Sequence, residues 1–456
     1  VARHDRDAVR RAKEKALDRR VQLWDQGNGT TELAGLVMST DAAGRLANGA
    51  INNSGIVRAT TLSEHQGVIK LLGGSVKVAG TLDASAPTGG DGGFIETSGH
   101  SVKVDSSTRV TTAAAYGKTG SWLIDPNDYT IGFGPSGTDI TGAALSSLLA
   151  TTSVTIQTAT MGTPGGAGDI FVDAPVSWSS GNALTLVAER NITIIGNITG
   201  TGLNSRFAAT APGTLNVFAN VTGTGPGGAG GDAVRYQANN LVLSGTTTAI
   251  AGTLSIQPND PARSIRIEAT PSAGVLSLTP TQFATLRADA DRDIVLFAQN
   301  GDISVGAALA GSQIHSGYLT MRTIGGNITI NAPITGGPGL LGIGLEAMAG
   351  VRINSAVSTP GIFKIDTAGT LTVSSTGRVN AADVEYHAND LDLTGTTTSS
   401  AASIGIRAFD STRAIRIEST PTAGVLSLSP AEIATLHAPA AHNIVIGWSG
   451  GGPLTV

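Results

Sequence analysis

Cysteine is absent from this chain of 456 residues. That excludes a disulfide framework and any zinc or iron–sulfur centre held by thiolates. Aromatic residues supply only 4% of the chain and charged residues 14%, where an average soluble domain carries about 25% charge. No apolar run approaches the ~18 residues of a membrane helix. Basic residues cluster only at the start. Residues 1–20 hold eight Lys/Arg and four Asp/Glu, leaving 21 basic and 30 acidic groups for the rest. A weakly acidic body offers no electrostatic footprint for nucleic acid. There is no initiator methionine and no signal peptide, so the chain reads as an internal segment of a longer protein.

What is plentiful is glycine, with 61 residues, among Thr, Ser, Ala, Val and Ile. This mix suits short strands punctuated by turns. The chain also repeats itself. Residues 233–304 return as 383–454 without insertion or deletion: Tyr236 as Tyr386, Gly245 as Gly395, Ile265 as Ile415, Gly274 as Gly424, each 150 residues on. SIRIEATPSAGVLSLTPTQFATL stands against AIRIESTPTAGVLSLSPAEIATL. A long module copied in register belongs to a chain that grows by stacking.

A shorter rhythm lies beneath. GVIKLLGGSVKVA (67–79) aligns with GFIETSGHSVKVD (93–105) at an offset of 26, and GSWLIDPNDYTIG (120–132) follows. Such units cannot bury their Val, Ile and Leu alone. Stacked about 4.8 Å apart as coils, they form one core and pair every backbone group except at the ends. The expected fold is all-β, a parallel β-helix. At ~20–25 residues per coil it would have some 18–20 coils and a length of order 90 Å. Three helical excursions are expected: TGAALSSLLA near 141–150, TPTQFATLRA (279–288) and its copy SPAEIATLHA (429–438). In the last two, Thr or Ser precedes proline at the first helical position. The divisions are a basic amphipathic helix (1–26), β-helix coils (27–132), coils with loop excursions (133–232), a first module (233–382) and a truncated second (383–456). The basic helix reads as a solvated element packing Leu17, Val21 and Trp24 on its neighbour.

The stretch from about Asn52 to Gly200 resembles a known family. GVIKLLGGSVKVAGTLDAS, GKTGSWLIDPNDYTI and GDIFVDAPVSWSSGNALTLVAERNITI are similar to filamentous-haemagglutinin-like exoproteins of two-partner secretion, in the branch of high-molecular-weight adhesins and haem-acquisition exoproteins. The resemblance covers about a third of the chain. It implies a right-handed β-helix, export through an outer-membrane partner transporter, and display at the bacterial cell surface or release. Two features depart from the family. Its amino-terminal secretion domain is not among these residues, and the basic helix interrupts the β-helix.

Candidate sites are sparse. No histidine pair has zincin spacing. His437 and His442 flank a turn, but their counterparts are Arg287 and Arg292. GGDGGF (89–94), GGAGDIF (165–171) and GGAGGDAV (227–234) echo calcium-binding β-rolls, which need tandem copies; isolated, they read as corner glycines. Asp125 and Asp128, with Lys118, are the nearest carboxylate cluster to a hydrolytic pair. Their phrase is ordinary turn chemistry. Sequons stand at Asn28, Asn52, Asn191, Asn197, Asn220 and Asn327. Trp24, Trp122, Trp178 and Trp448 are widely spaced, and Trp122, Tyr236 and Tyr386 fall on repeating positions that suit packing.

No catalytic, cofactor or metal residue is expected, and no enzymatic activity. The expected role is a stalk of a large adhesin or filament, with a host-cell or glycan receptor and end-to-end self-association as further contacts. A second reading is a specific binder of a haem carrier or host glycan, using loops at 133–167 and 200–232. A carbohydrate-active enzyme is a third.

Overall fold

The computed structural model describes residues 35–39, 50–61, 66–134, 136–158, 166–227, 231–447 and 452–455. The basic amphipathic helix expected at 1–26 lies outside them. The chain is an all-β solenoid of about 14 turns. Every strand pairing is parallel among the described residues, and one sheet of 28 strands joins coils from both ends of the chain. That sheet crosses the expected divisions at 132, 232 and 382 without interruption.

The core explains the stacking. In strand after strand, alternate residues point inward, as in Val68–Leu72, Ser153–Gln157 and Thr253–Gln257. Each inward Ile, Leu or Val sits over its equivalent in the next coil. One column runs Tyr236, Ile256, Leu296, Met321, Leu345, Ile365 and Tyr386. It continues to Ile406 and Ile446. All these residues except half-buried Ile446 are fully buried, and burying each such side chain stabilises the fold by about 1.5–3 kcal/mol. The column also gives the 150-residue repeat a physical meaning. It equals six steps of the stack, about 29 Å at 4.8 Å per step.

Corners are tight, and glycine is required at some of them. Gly67, Gly93 and Gly120 stack at one corner, where a Cβ on Gly93 or Gly120 would strike the carbonyl oxygen of the glycine one coil below. The offsets of 26 and 27 seen in the sequence are the lengths of these coils.

All three expected helices are present: α1 (Gly142–Leu148), α2 (Pro280–Phe283) and α3 (Pro430–Ile433). They contribute, together with coils of 26 to 33 residues in the first half, to a departure from the expected coil count. A coil carrying α2 takes 40 residues from Leu254 to Ile294, and its copy takes 40 from Ile404 to Ile444. Fewer turns therefore fit, and the stack spans about 65 Å rather than 90. The other departure is at 200–232. Arg206–Val217 and Val221–Gly223 are strands paired with both neighbours, the first with a register shift between Ala211 and Thr214, so most of this segment is coil and not excursion.

Candidate functional site

The sequons and carboxylates singled out in the sequence mostly brace one coil to the next. Asn191 Oδ1 accepts from the Thr214 N–H (2.8 Å), Asn197 Oδ1 from Asn220 (3.0 Å) and Asn220 Oδ1 from Thr246 (3.0 Å). Each bond closes a corner where the strand ladder is interrupted. Asn327 donates through Nδ2 to Asp302 (3.3 Å). Asn52 is exposed on its strand. Asn28 lies outside the described residues.

Asp128 accepts from the N–H groups of Ala167 and Asp169, both at 2.9 Å. Asp169 in turn forks with Arg190 (Nε–Oδ1 2.9 Å) and accepts from the Asn191 N–H. The Arg190 guanidinium holds the Asp169 carboxyl below its usual range. Asp125 is buried in its strand, and Lys118 is exposed, its backbone N–H donating to Asp91 (2.8 Å). The carboxylates therefore meet backbone donors and an arginine instead of converging on an open groove. Two of the three Gly-Asp phrases are absorbed in the same way, through Asp91 and Asp169; the third, GGAGGDAV, runs through residues 228–230, outside the described residues. Among the described residues no group of three His, Cys, Asp or Glu side chains is placed to hold a metal ion.

Of the aromatic residues singled out in the sequence, the four that are described, Trp122, Trp178, Tyr236 and Tyr386, are core. Trp122 is fully buried and donates to the Thr97 hydroxyl (3.1 Å), and Trp178 donates to the Asn182 carbonyl (2.9 Å). Tyr236 and Tyr386 bond Thr247 and Thr397, each at 2.9 Å. Trp24 and Trp448 lie outside the described residues. His437 and His442 are both exposed. His437 pairs with Thr398 as Arg287 pairs with Thr248.

Two arrangements escaped sequence reading. On the flank of the stack, His387 Nδ1 lies 2.6 Å from Asp366 Oδ1, Lys364 Nζ lies 2.9 Å from Asp366 Oδ2, and Glu385 approaches His387 Nε2 at 3.8 Å. Asp366 and His387 are register partners one coil apart. The signal was their 21-residue spacing, which is meaningless until the coil length is known.

The second is an open cavity of about 420 Å³ beside α2 and the short 3-10 turn Gly311–Gln313. One wall is an outward column in which Thr248 pairs with Arg287, and Arg287 with His315. Ile314, Pro338 and Leu340 give it an apolar side. Burial, and then the Arg287 charge, push His315 below its ordinary pKa. Asp289 also lines the cavity, with Oδ2 accepting from the Ala251 N–H at 3.0 Å.

Comparison with known proteins gives no matching family model, no matching curated protein and no matching solved structure. The fold class defined by these residues is the parallel β-solenoid.

Proposed function

We propose that this chain is a shaft segment of a secreted or surface-displayed bacterial adhesin of the filamentous-haemagglutinin-like kind, exported by two-partner secretion. The observation that carries the reading is the module. Residues 233–304, two coils and part of a third, return as 383–454 six steps further along the stack, with core, corners and helix caps kept. What changes is the outer face, where Arg287 becomes His437, Arg292 becomes His442 and Gln237 becomes His387. Duplication that keeps the inside and varies the outside supplies length. The phrases WLIDPNDYTI and VSWSSGNALTL support the adhesin family and its export route.

Electron microscopy of the secreted protein tests the reading. Thin rods are expected, lengthening by about 29 Å for each 150-residue module inserted. Compact particles, or a length indifferent to module number, would count against the shaft. Export is tested separately by deleting the outer-membrane partner transporter. Retention of the protein inside the cell is expected, and unchanged secretion would remove the two-partner route.

A further inference from the structure

The cavity beside α2 joins unlike groups. The Arg287 guanidinium is exposed on the cavity wall and forms no ion pair or hydrogen bond with a described residue. Several other arginines in this module are engaged, as where Arg263 donates to Asn240 and the Val275 carbonyl and Arg322 pairs with Glu346. Half-buried His315 lies next to Arg287 in the column. The acid in the wall, Asp289, is anchored on Ala251, where the backbone of a non-glycine residue is held at φ 54°. Leu340 and Ile314, both buried, and Pro338 also line the cavity. An unpaired guanidinium fork next to an imidazole, facing an apolar side, matches a ligand with a carboxylate at one end and a hydrocarbon face behind it.

We propose that this cavity binds a small organic carboxylate of the sugar-acid type, its carboxylate on the Arg287 fork and beside His315, its C–H face on Leu340 and Pro338. Phosphate is a poorer match, because among the described residues Arg287 is the one Lys or Arg that lines the cavity. The site stands independently of whether the module serves as length.

The geometry also sets the pH response. Among the described residues, the charged groups that line the cavity with His315 are Arg287, its partner from the neighbouring coil, and Asp289 from the turn after it, and the Asp291–Arg292 pair (3.4 Å) follows on that turn. In the empty cavity, burial and Arg287 oppose protonation of His315. A bound carboxylate offsets the Arg287 charge and pairs with imidazolium, so binding takes up a proton. Affinity therefore rises as pH falls from 7.5 to 5.5, by about tenfold for one proton coupled over that range.

The test is a ligand-observed NMR titration of the full chain with glucuronate, with glucose and inorganic phosphate as parallel arms. Glucuronate is expected to bind at least about tenfold tighter than either. Arg287→Gln should lose about tenfold or more, while His315→Gln should keep binding at pH 7.5 and lose the gain at pH 5.5. Arg287→His is the fold-safe companion, because the second module carries histidine at 437 in the same pairing; it too should weaken binding at pH 7.5. Equal binding of glucose or phosphate, an unaffected Arg287→Gln, or a pH response that survives His315→Gln would each overturn the proposal.

Discussion

Tyr236 is fully buried, and among the described residues its hydroxyl has one partner, the Thr247 hydroxyl at 2.9 Å. Thr247 is fully buried too. Tyr236→Phe therefore leaves a buried hydroxyl without its partner, which costs about 1–3 kcal/mol. Adding Thr247→Val removes the stranded group and should recover most of that loss. Hydrogen exchange at amides of this coil is the measurement, because a stacked chain need not unfold in two states. Equal exchange in the single and double variants would show that the pair is not coupled. The same burial makes the protein sensitive to alkali. Burial pushes the phenols of Tyr129, Tyr236 and Tyr386 above their ordinary value, and Asp139 adds to the effect at Tyr129. A raised folded-state pKa means full stability below the unfolded value near 10 and loss as pH rises beyond it. The expected slope is about 1.4 kcal/mol per pH unit for each tyrosine. Thermal melting from pH 9 to 11.5 should show a steep fall, and a flat profile would contradict it.

The short helices show what local sequence can and cannot specify. Thr279 and Ser429 accept from the N–H groups of Gln282 and Glu432, whose side chains return to the cap backbone. This is a reciprocal capping box, and the Thr/Ser–Pro start was legible because all its partners lie within four residues. Glu432 does more. Its Oε1 also accepts from the Leu393 N–H, 39 residues back (3.1 Å). No local pattern discloses that bond, nor the 40-residue coils that reduced the turn count, nor the meeting of Arg287 with His315. Strand and corner positions were readable from period and glycine, whereas cross-coil partners depend on a coil length that varies from 20 to 40 residues. Two substitutions separate these levels. Ser429→Ala should cost about 1 kcal/mol, from the cap alone. Glu432→Ala should also raise exchange at the Leu393 amide; protection there equal to wild type would mean the bond contributes nothing. Gly274 and Gly424, both at φ 81° with open space around them, make a third case. Gly274→Ala should cost about 1–2 kcal/mol through backbone strain only, with no displacement of neighbours.

Across the whole molecule the column from Tyr236 to Tyr386 implies that an entire module can be removed without a scar. Phe207 meets Tyr236 edge to face at 6.4 Å and 78°, and Phe363 meets Tyr386 at 6.5 Å and 85°. The coil beneath each tyrosine thus presents the same aromatic edge. Deleting residues 234–383 joins Ala233 to Val384. Ala233 is fully buried, so retaining it avoids placing the Asp383 carboxylate in its site. Val384 then takes the place of Val234 opposite Phe207, Tyr386 stacks on Phe207, and Thr397 supplies the hydroxyl that Thr247 supplied. The shortened chain should keep its strand content by circular dichroism and lose about 29 Å of length by small-angle scattering. Deleting one residue more, 234–384, shifts the strand by one position and turns its buried set outward. That variant should aggregate or lose its far-ultraviolet signal. If both deletions behave alike, register does not govern the stack, and the module is not a unit of length.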